Sequence, residues 1–401
     1  MATHTPVPLS ISTNTQHGAA TIQLPQGLTP PVTPTIEDRD AKAAALSPTT
    51  TDACLDQKVA VSTPRQFSDE LEYHLDQRGR PAEFGRGAWS VVYKALASAR
   101  ADYPARPLTP PSSPGPGGRL VAVKSPARRD AHAVLLAEAL ALTKASSVPG
   151  SEHHIVPFHG YIADSNSIVM SAVPLSLSTY IEDKARLAQQ NKTTRNMFDP
   201  VQGMAPWHDL AKKLVASLSW LHSDAQIVHG DIKPHNILLQ PCMSVIGNDN
   251  DADAAIFPYE PLFADFSSSH PITTSEEPSS TSLSALTPPF TAPELLRVSS
   301  LSSPDVIPTP ASDVFSLAVT LLAAATGDLL LYPGSNNMQR LLMAKEGHRV
   351  IEFTQSGSNG CRVPRNGLVE RIIKPAVAKD PAQRILPDNW VKLARDIAPP
   401  A

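Results

Sequence analysis

Cysteine is scarce in this chain. The 401 residues include three, Cys54, Cys242 and Cys361, far apart, odd in number and without a CxxC pair. That argues against a disulfide scaffold and a thiolate zinc site and fits a reducing intracellular compartment. Charge is sparse too: 18% of residues are charged, and 34 basic against 38 acidic side chains leave a formal net charge of −4. No basic excess points to nucleic acid or an anionic membrane as the main partner. Long apolar runs are missing. The longest, Phe315 to Thr326, stops at Gly327-Asp328, too short for a membrane span, and reads as a buried helix. The opening residues, MATHTPVPLSISTNTQ, lack a basic start followed by an apolar run, so no signal peptide is expected. The expectation is a soluble protein of the cytoplasm, with the nucleus also open to it.

Proline is in excess: 40 residues, about twice the usual share. With 41% hydrophobic residues, this describes a folded body with tails and loops that do not pack. Residues 1–66 are rich in Thr, Ser and Pro, show no period, and read as a disordered tail. LTPPVTP at 28–34 and LTPPSSP at 108–114 lie in polar contexts. They read as targets of proline-directed kinases, as ligands of WW/SH3-type modules, or as plain linker.

From about residue 67 the texture changes. EFGRGAWSVVYKALA reads as strand, glycine turn, strand, and RLVAVK as a further strand. An Ala/Leu-rich helix follows from Asp130, a candidate N-cap, to about Lys144; IVPFHGYIA and NSIVMSAV are strand-like. After Val173 helices dominate. LSTYIEDKARLAQQ opens one, His208 to Ser223 sets Leu210, Leu214, Leu218 and Leu221 on one face, and Asp313 to Thr326 is almost wholly apolar, which implies burial on all sides. The last helices fall near 338–347, 366–378 and 387–396. The order implies an α+β fold: a β-rich lobe over about 67–173 and a larger helical lobe over about 174–400. Low-complexity insertions are expected near 98–118, 184–205, 241–260 and 267–285.

Four segments carry chemistry. Gly85, Arg86, Gly87, Ala88, Trp89, Ser90 and Val92 form GxGxxSxV between two strands. Glycines let the backbone approach a phosphate, though a plain hairpin turn fits as well; a dinucleotide fold is ruled out because a strand, not a helix, follows. Lys124 ends an apolar strand, either snorkelling into water or held over phosphates. Glu138 lies on the helix face shared by Leu135 and Leu142, placed to fix that lysine. The third segment, IVHGDIKPHNILL at 227–239, puts Asp231, Lys233 and Asn236 on one turn between apolar flanks. An acceptor, a cation and an amide on a buried loop are costly without partners, and phosphoryl transfer needs this set. The fourth, LFADF at 262–266, supplies the further carboxylate, Asp265.

In this order the segments resemble a eukaryotic protein kinase of the Ser/Thr type, with the resemblance covering about residues 70 to 400. HGDIKPHN resembles the family's H-R-D-x-K-x-x-N catalytic loop and ADF its D-F-G element. TPPFTAPE at 287–294 resembles T-P-x-Y-x-A-P-E, SDVFS at 312–316 the start of the central helix, and DPAQR at 380–384 the late D-P-x-x-R motif. The resemblance implies a bilobal kinase fold using ATP and Mg2+ on a protein substrate. It implies Asp231 as the base, with Lys233 on the moving phosphoryl group and bonded to Thr287. Lys124, paired with Glu138, would hold the α and β phosphates, and Asn236 and Asp265 the metal. Phe84, Val92, Ala122 and Leu238 would sandwich the adenine, with Met170 as gatekeeper and Ser171 to Val173 as hinge. Glu294 with Arg384 would form a structural ion pair, and Asp313 would brace the catalytic loop.

Three positions depart from the family pattern. Gly230 replaces an arginine that commonly pairs with a phosphorylated activation loop, so activity is expected not to depend on that phosphorylation. Ser267 replaces the glycine of D-F-G, and Ser90 the third loop glycine. The altered Gly230 and Ser267 motivate a rival reading, a pseudokinase scaffold that binds nucleotide or partners without turnover. Asp249 to Glu260 superficially fits a calcium loop, but Ala254 stands at the turn glycine; His153, His154 and His159 read as turn and strand-edge histidines rather than ligands.

Overall fold

Period-two burial builds the first half of the fold. The computed structural model describes residues 63–99, 118–191, 193–194, 196–242, 256–272, 287–296, 307–334 and 336–398, all within one compact unit, Val59–Ala401. Strands β1 (Glu70–Tyr73), β2 (Glu83–Arg86), β3 (Ser90–Ser98), β4 (Arg119–Pro126), β5 (Phe158–Ile162) and β6 (Ser167–Ser171) make one sheet. Its order is β1-β3-β4-β6-β5 with β2 on β3, and every named pairing in it is antiparallel. Along β4 the alternation sorts two jobs. Val121 and Val123 pack with Ala95, Ala97 and Val169 on one face, while Ala122 and Lys124 face the opposite side.

Helix α1 (Ala131–Ser146) covers this sheet with Leu135, Glu138 and Leu142 buried. Asp130 is its N-cap by position, but its side chain makes no capping bond and pairs with Arg128 at 2.7 Å instead. The last residues of the segment expected as a tail pack on the fold: Gln66 bridges Tyr161 of β5, and the Arg65 N–H donates to Thr143 Oγ1 on α1 at 2.9 Å. Residues 1–62, with the motif at 28–34, lie outside the described residues, as do 100–117 with the second motif.

The second half is helical: α2 (Leu177–Gln190), α3 (Met204–Ser223), α4 (Pro310–Thr326), α5 (Asn337–Lys345), α6 (Val350–Ser356), α7 (Leu368–Ile373) and α8 (Pro387–Asp396). Leu210, Leu214, Leu218 and Leu221 of α3 are fully buried, at about 1.5–3 kcal/mol each. Helix α4 is buried from Ser312 to Thr326, in keeping with its mostly apolar sequence, and a Thr309/Ser312 capping box starts it. Helix α6 was not expected; at seven residues, VIEFTQS, it shows no full apolar period, and the burial of Val350, Ile351 and Thr354 fixes it.

The segment expected as an insertion over 184–205 is ordered where described. Its first residues finish α2, the Val201 N–H donates to the Ala325 carbonyl at 3.0 Å, and Arg362 Nη1 donates to the Asp199 carbonyl at 2.6 Å. Between the lobes, β8 (Ile237–Pro241) pairs with β9 (Tyr259–Phe263), and β7 (Ile227–Val228) with β10 (His270–Pro271). Residues 243–255 and 273–286 lie outside the described residues, and with them most of the calcium-loop segment and of the 267–285 insertion.

Candidate active site

A cavity of about 740 Å3 opens between sheet and helices. Phe84, Gly85, Arg86, Gly87, Ala88, Trp89, Ser90 and Val92 form its roof. The Gly87 N–H donates to the Ser90 carbonyl at 2.8 Å, closing the glycine turn. Ala122, Met170, Val173 and Leu238, with Ser171 between them, give a mostly apolar slot at the back, although Phe84 is 38% exposed and covers it loosely. Of the residues assigned to nucleotide and catalysis from sequence, Glu138 alone does not line the cavity; it stands behind Lys124.

The Lys124 ammonium ties three segments together. It donates to both Glu138 oxygens at 2.8 and 2.7 Å and to Asp265 Oδ1 at 2.7 Å. Burial alone would lower the Lys124 pKa, but the Asp265 and Glu138 carboxylates outweigh it and hold it above the ordinary lysine value. Asp265 shows the converse. Burial would raise its carboxyl, yet Lys124, with a hydrogen bond from Ser267, holds it well below the usual range. Glu138 is pushed up, since burial outweighs the pull of Lys124. Its Oε1 also accepts the Phe266 N–H at 3.2 Å, and this anchors the turn after Asp265. Asp265 itself takes a left-handed conformation, φ 60°, and 41% of its side chain remains open. Ser267 also lines the cavity.

The catalytic-loop candidates form a second knot. Lys233 Nζ donates to Asp231 Oδ2 at 2.6 Å and to Thr287 Oγ1 at 3.2 Å. Asn236 Nδ2 donates to the Asp231 carbonyl at 2.9 Å and to its Oδ2 at 3.0 Å. Burial raises the Asp231 carboxyl above its ordinary value, and Lys233 offsets part of that. Thr287 is fixed by its own N–H, which donates to Thr291 Oγ1 at 2.7 Å. From beneath, buried Asp313 accepts the N–H groups of His229 and Gly230, as well as His222 Nε2 at 3.0 Å. Farther off, Arg384 grips Glu294 with two bonds of 2.7 Å.

For a divalent cation, the donor chemistry fits. Asp265 offers a carboxylate, and Asn236, its nitrogen committed to Asp231, offers a carbonyl oxygen; such hard oxygen donors suit Mg2+, which takes few protein ligands beside substrate phosphates. Among the described residues no cluster of three or more His, Cys, Asp or Glu could hold a metal alone. His154 Nδ1 lies 3.0 Å from Ser217 Oγ and the ring stacks on Trp220, while His159 Nε2 lies 3.0 Å from Ser171 Oγ. Sequence reasoning missed Ser176, Thr179 and His235, which also line the cavity. His235 was legible, one place before Asn236; the other two sit at the start of α2, which only the tertiary fold brings to the cleft.

Comparison with known proteins agrees with this geometry. A family model described as "Protein kinase domain" matches residues 117–392, so the glycine turn precedes the matched stretch. The chain is similar to "Mitogen-activated protein kinase kinase 3" of Arabidopsis thaliana, 28% identical over 248 residues. That stretch is 61% of this chain and 36% of the relative, so the match spans about a third of the relative's length. No described helix is long and apolar enough to cross a membrane.

Proposed function

Because the chain belongs to the protein kinase domain family, we propose that it is an ATP- and Mg2+-dependent protein serine/threonine kinase, its kinase domain running over about 67–400. One observation carries the reading: Lys124, Asp231, Asn236 and Asp265 line a single cavity, with Lys124 bonded to Asp265 and Asn236 to Asp231. Phosphoryl transfer uses this set, an ammonium, a base and a metal-type carboxylate around one space.

In the reaction, a substrate hydroxyl oxygen bonds to the γ-phosphorus of ATP. The bond from that phosphorus to the β,γ-bridging oxygen breaks, and ADP leaves with that electron pair. Asp231 accepts the hydroxyl proton; burial raises its pKa and Lys233 offsets only part of that, which suits a base that must hold a proton briefly. Lys233 places positive charge on the moving phosphoryl group. Lys124, kept cationic and aimed by Glu138, binds the α and β phosphates. Asp265 and the Asn236 oxygen would hold Mg2+, which would neutralise phosphate charge. The link from Thr287 to Lys233 favours Ser and Thr over Tyr as the acceptor.

A pseudokinase scaffold is the second reading, favoured by Gly230, which sits in a left-handed turn with φ 80°, and by Ser267 in the cavity wall. Phosphate transfer to generic protein substrates, with phosphoamino-acid analysis and an Asp231→Asn control, separates the two. Transfer to Ser or Thr that the control abolishes supports the enzyme. Nucleotide binding without transfer supports the scaffold, and transfer to Tyr overturns the specificity.

A further inference from the structure

The glycine loop has little packing of its own. Residues 83–88 are all exposed, and so is every residue of β2. A segment so poor in buried contacts opens readily unless something anchors it. The anchor is Trp89. Its carbonyl accepts the Ala127 N–H at 2.9 Å, and the Arg128 guanidinium lies 4.3 Å from the centroid of its indole. Arg128 is oriented in turn by Asp130, 2.7 Å from its Nε at the start of α1. Among aromatic side chains the indole is the best partner for such a cation, which meets the negative face of its ring.

We propose that the Arg128–Trp89 stack is a latch that holds the glycine loop over the cleft before nucleotide arrives, which makes Arg128 a positioning residue for ATP. The inference rests on the kinase reading above. It adds that the ordering cost of the loop is met in the free protein, so less binding energy is lost when backbone N–H groups close on the phosphates. Arg128 does not line the cavity and acts only through Trp89. Its effect therefore falls on nucleotide affinity and leaves the chemical step alone.

Tryptophan fluorescence provides a direct readout. Trp207, Trp220 and Trp390 are buried at 0%, 8% and 0% exposure, so a collisional quencher reports mainly on Trp89. In the full chain, Arg128→Ala raises quencher access. It also raises the Mg-ATP Kd and the ATP KM about three- to tenfold, with kcat within about twofold of wild type. Arg128→Lys recovers part of the affinity, because the ammonium keeps the charge and loses the planar stack. Trp89→Leu loosens ATP to a similar degree, and the double variant loses little more than either single one, as a shared contact demands.

Unchanged quenching and unchanged affinity in Arg128→Ala overturn the latch, and so do fully additive effects in the double variant. Nucleotide binding with normal latch behaviour but no transfer by wild type overturns the enzyme reading alone. A wild-type protein that binds no nucleotide overturns both.

Discussion

Asp313 Oδ1 accepts the main-chain N–H of Gly230 at 3.0 Å, while its Oδ2 takes that of His229 at 2.7 Å. One buried carboxylate from α4 thus fixes the backbone that presents Asp231. Asp313→Asn puts an amide donor where one of those N–H groups needs an acceptor. It should lower unfolding free energy by about 2 kcal/mol and reduce phosphate transfer more than Mg-ATP binding. Denaturant unfolding beside paired kcat and Kd measurements checks this.

Gly230 is required by its conformation. Its φ of 80° is strained for other residues, and a side-chain carbon there would run into the Ser268 carbonyl oxygen. Gly230→Arg, which restores the family's arginine, is therefore expected to destabilise the fold without creating dependence on phosphorylation. Wild-type transfer should stay within about twofold after phosphatase treatment, because no arginine stands there to read the phosphate. A large loss of rate on dephosphorylation would contradict this.

The Arg384 side chain is 1% exposed and is bound by Glu294 and by the carbonyls of Ala378 and Ala311. Removing one partner of a buried pair strands the other. Glu294→Ala should cost about 3–5 kcal/mol, read as a large drop in Tm. Glu294→Gln keeps part of the hydrogen bonding and should cost less.

His159 sets a pH dependence. Burial, reinforced by Arg119 and Arg65 and opposed by Asp69, lowers its pKa from 6.5 to about 4. Below pH 6.5 the unfolded chain takes up a proton that the fold refuses. Its contribution to stability is full above pH 6.5, declines as pH falls towards about 4, and levels off below. His159→Gln, which can still bond Ser171, should remove that slope. Urea titrations of both proteins between pH 7 and 4 check it; parallel curves would refute it.

Much of this was legible in the sequence, for identifiable reasons. The period of Leu210, Leu214, Leu218 and Leu221 marked α3, and Glu138 on the apolar face of the helix after Lys124 pointed to their pairing. Polar groups clustered between apolar flanks marked the loop holding Asp231 and Asn236. Other features were not legible because they depend on tertiary contact. The short helix α6 has no full period, Ser176 and Thr179 reach the cleft only through the fold, and Arg65 and Gln66 look like tail until β5 and α1 receive them. The stack of Arg128 on Trp89 joins residues that no local pattern connects.

The most direct measurement pairs Mg-ATP affinity with single-turnover γ-phosphoryl transfer in wild type, Asp231→Asn and Asp265→Asn. The account predicts that Asp231→Asn binds Mg-ATP about as well as wild type but transfers at least about a hundredfold more slowly, while Asp265→Asn loses the Mg2+ dependence of binding. Transfer at wild-type rate by Asp231→Asn, or Mg-ATP binding indifferent to Asp265, would contradict it.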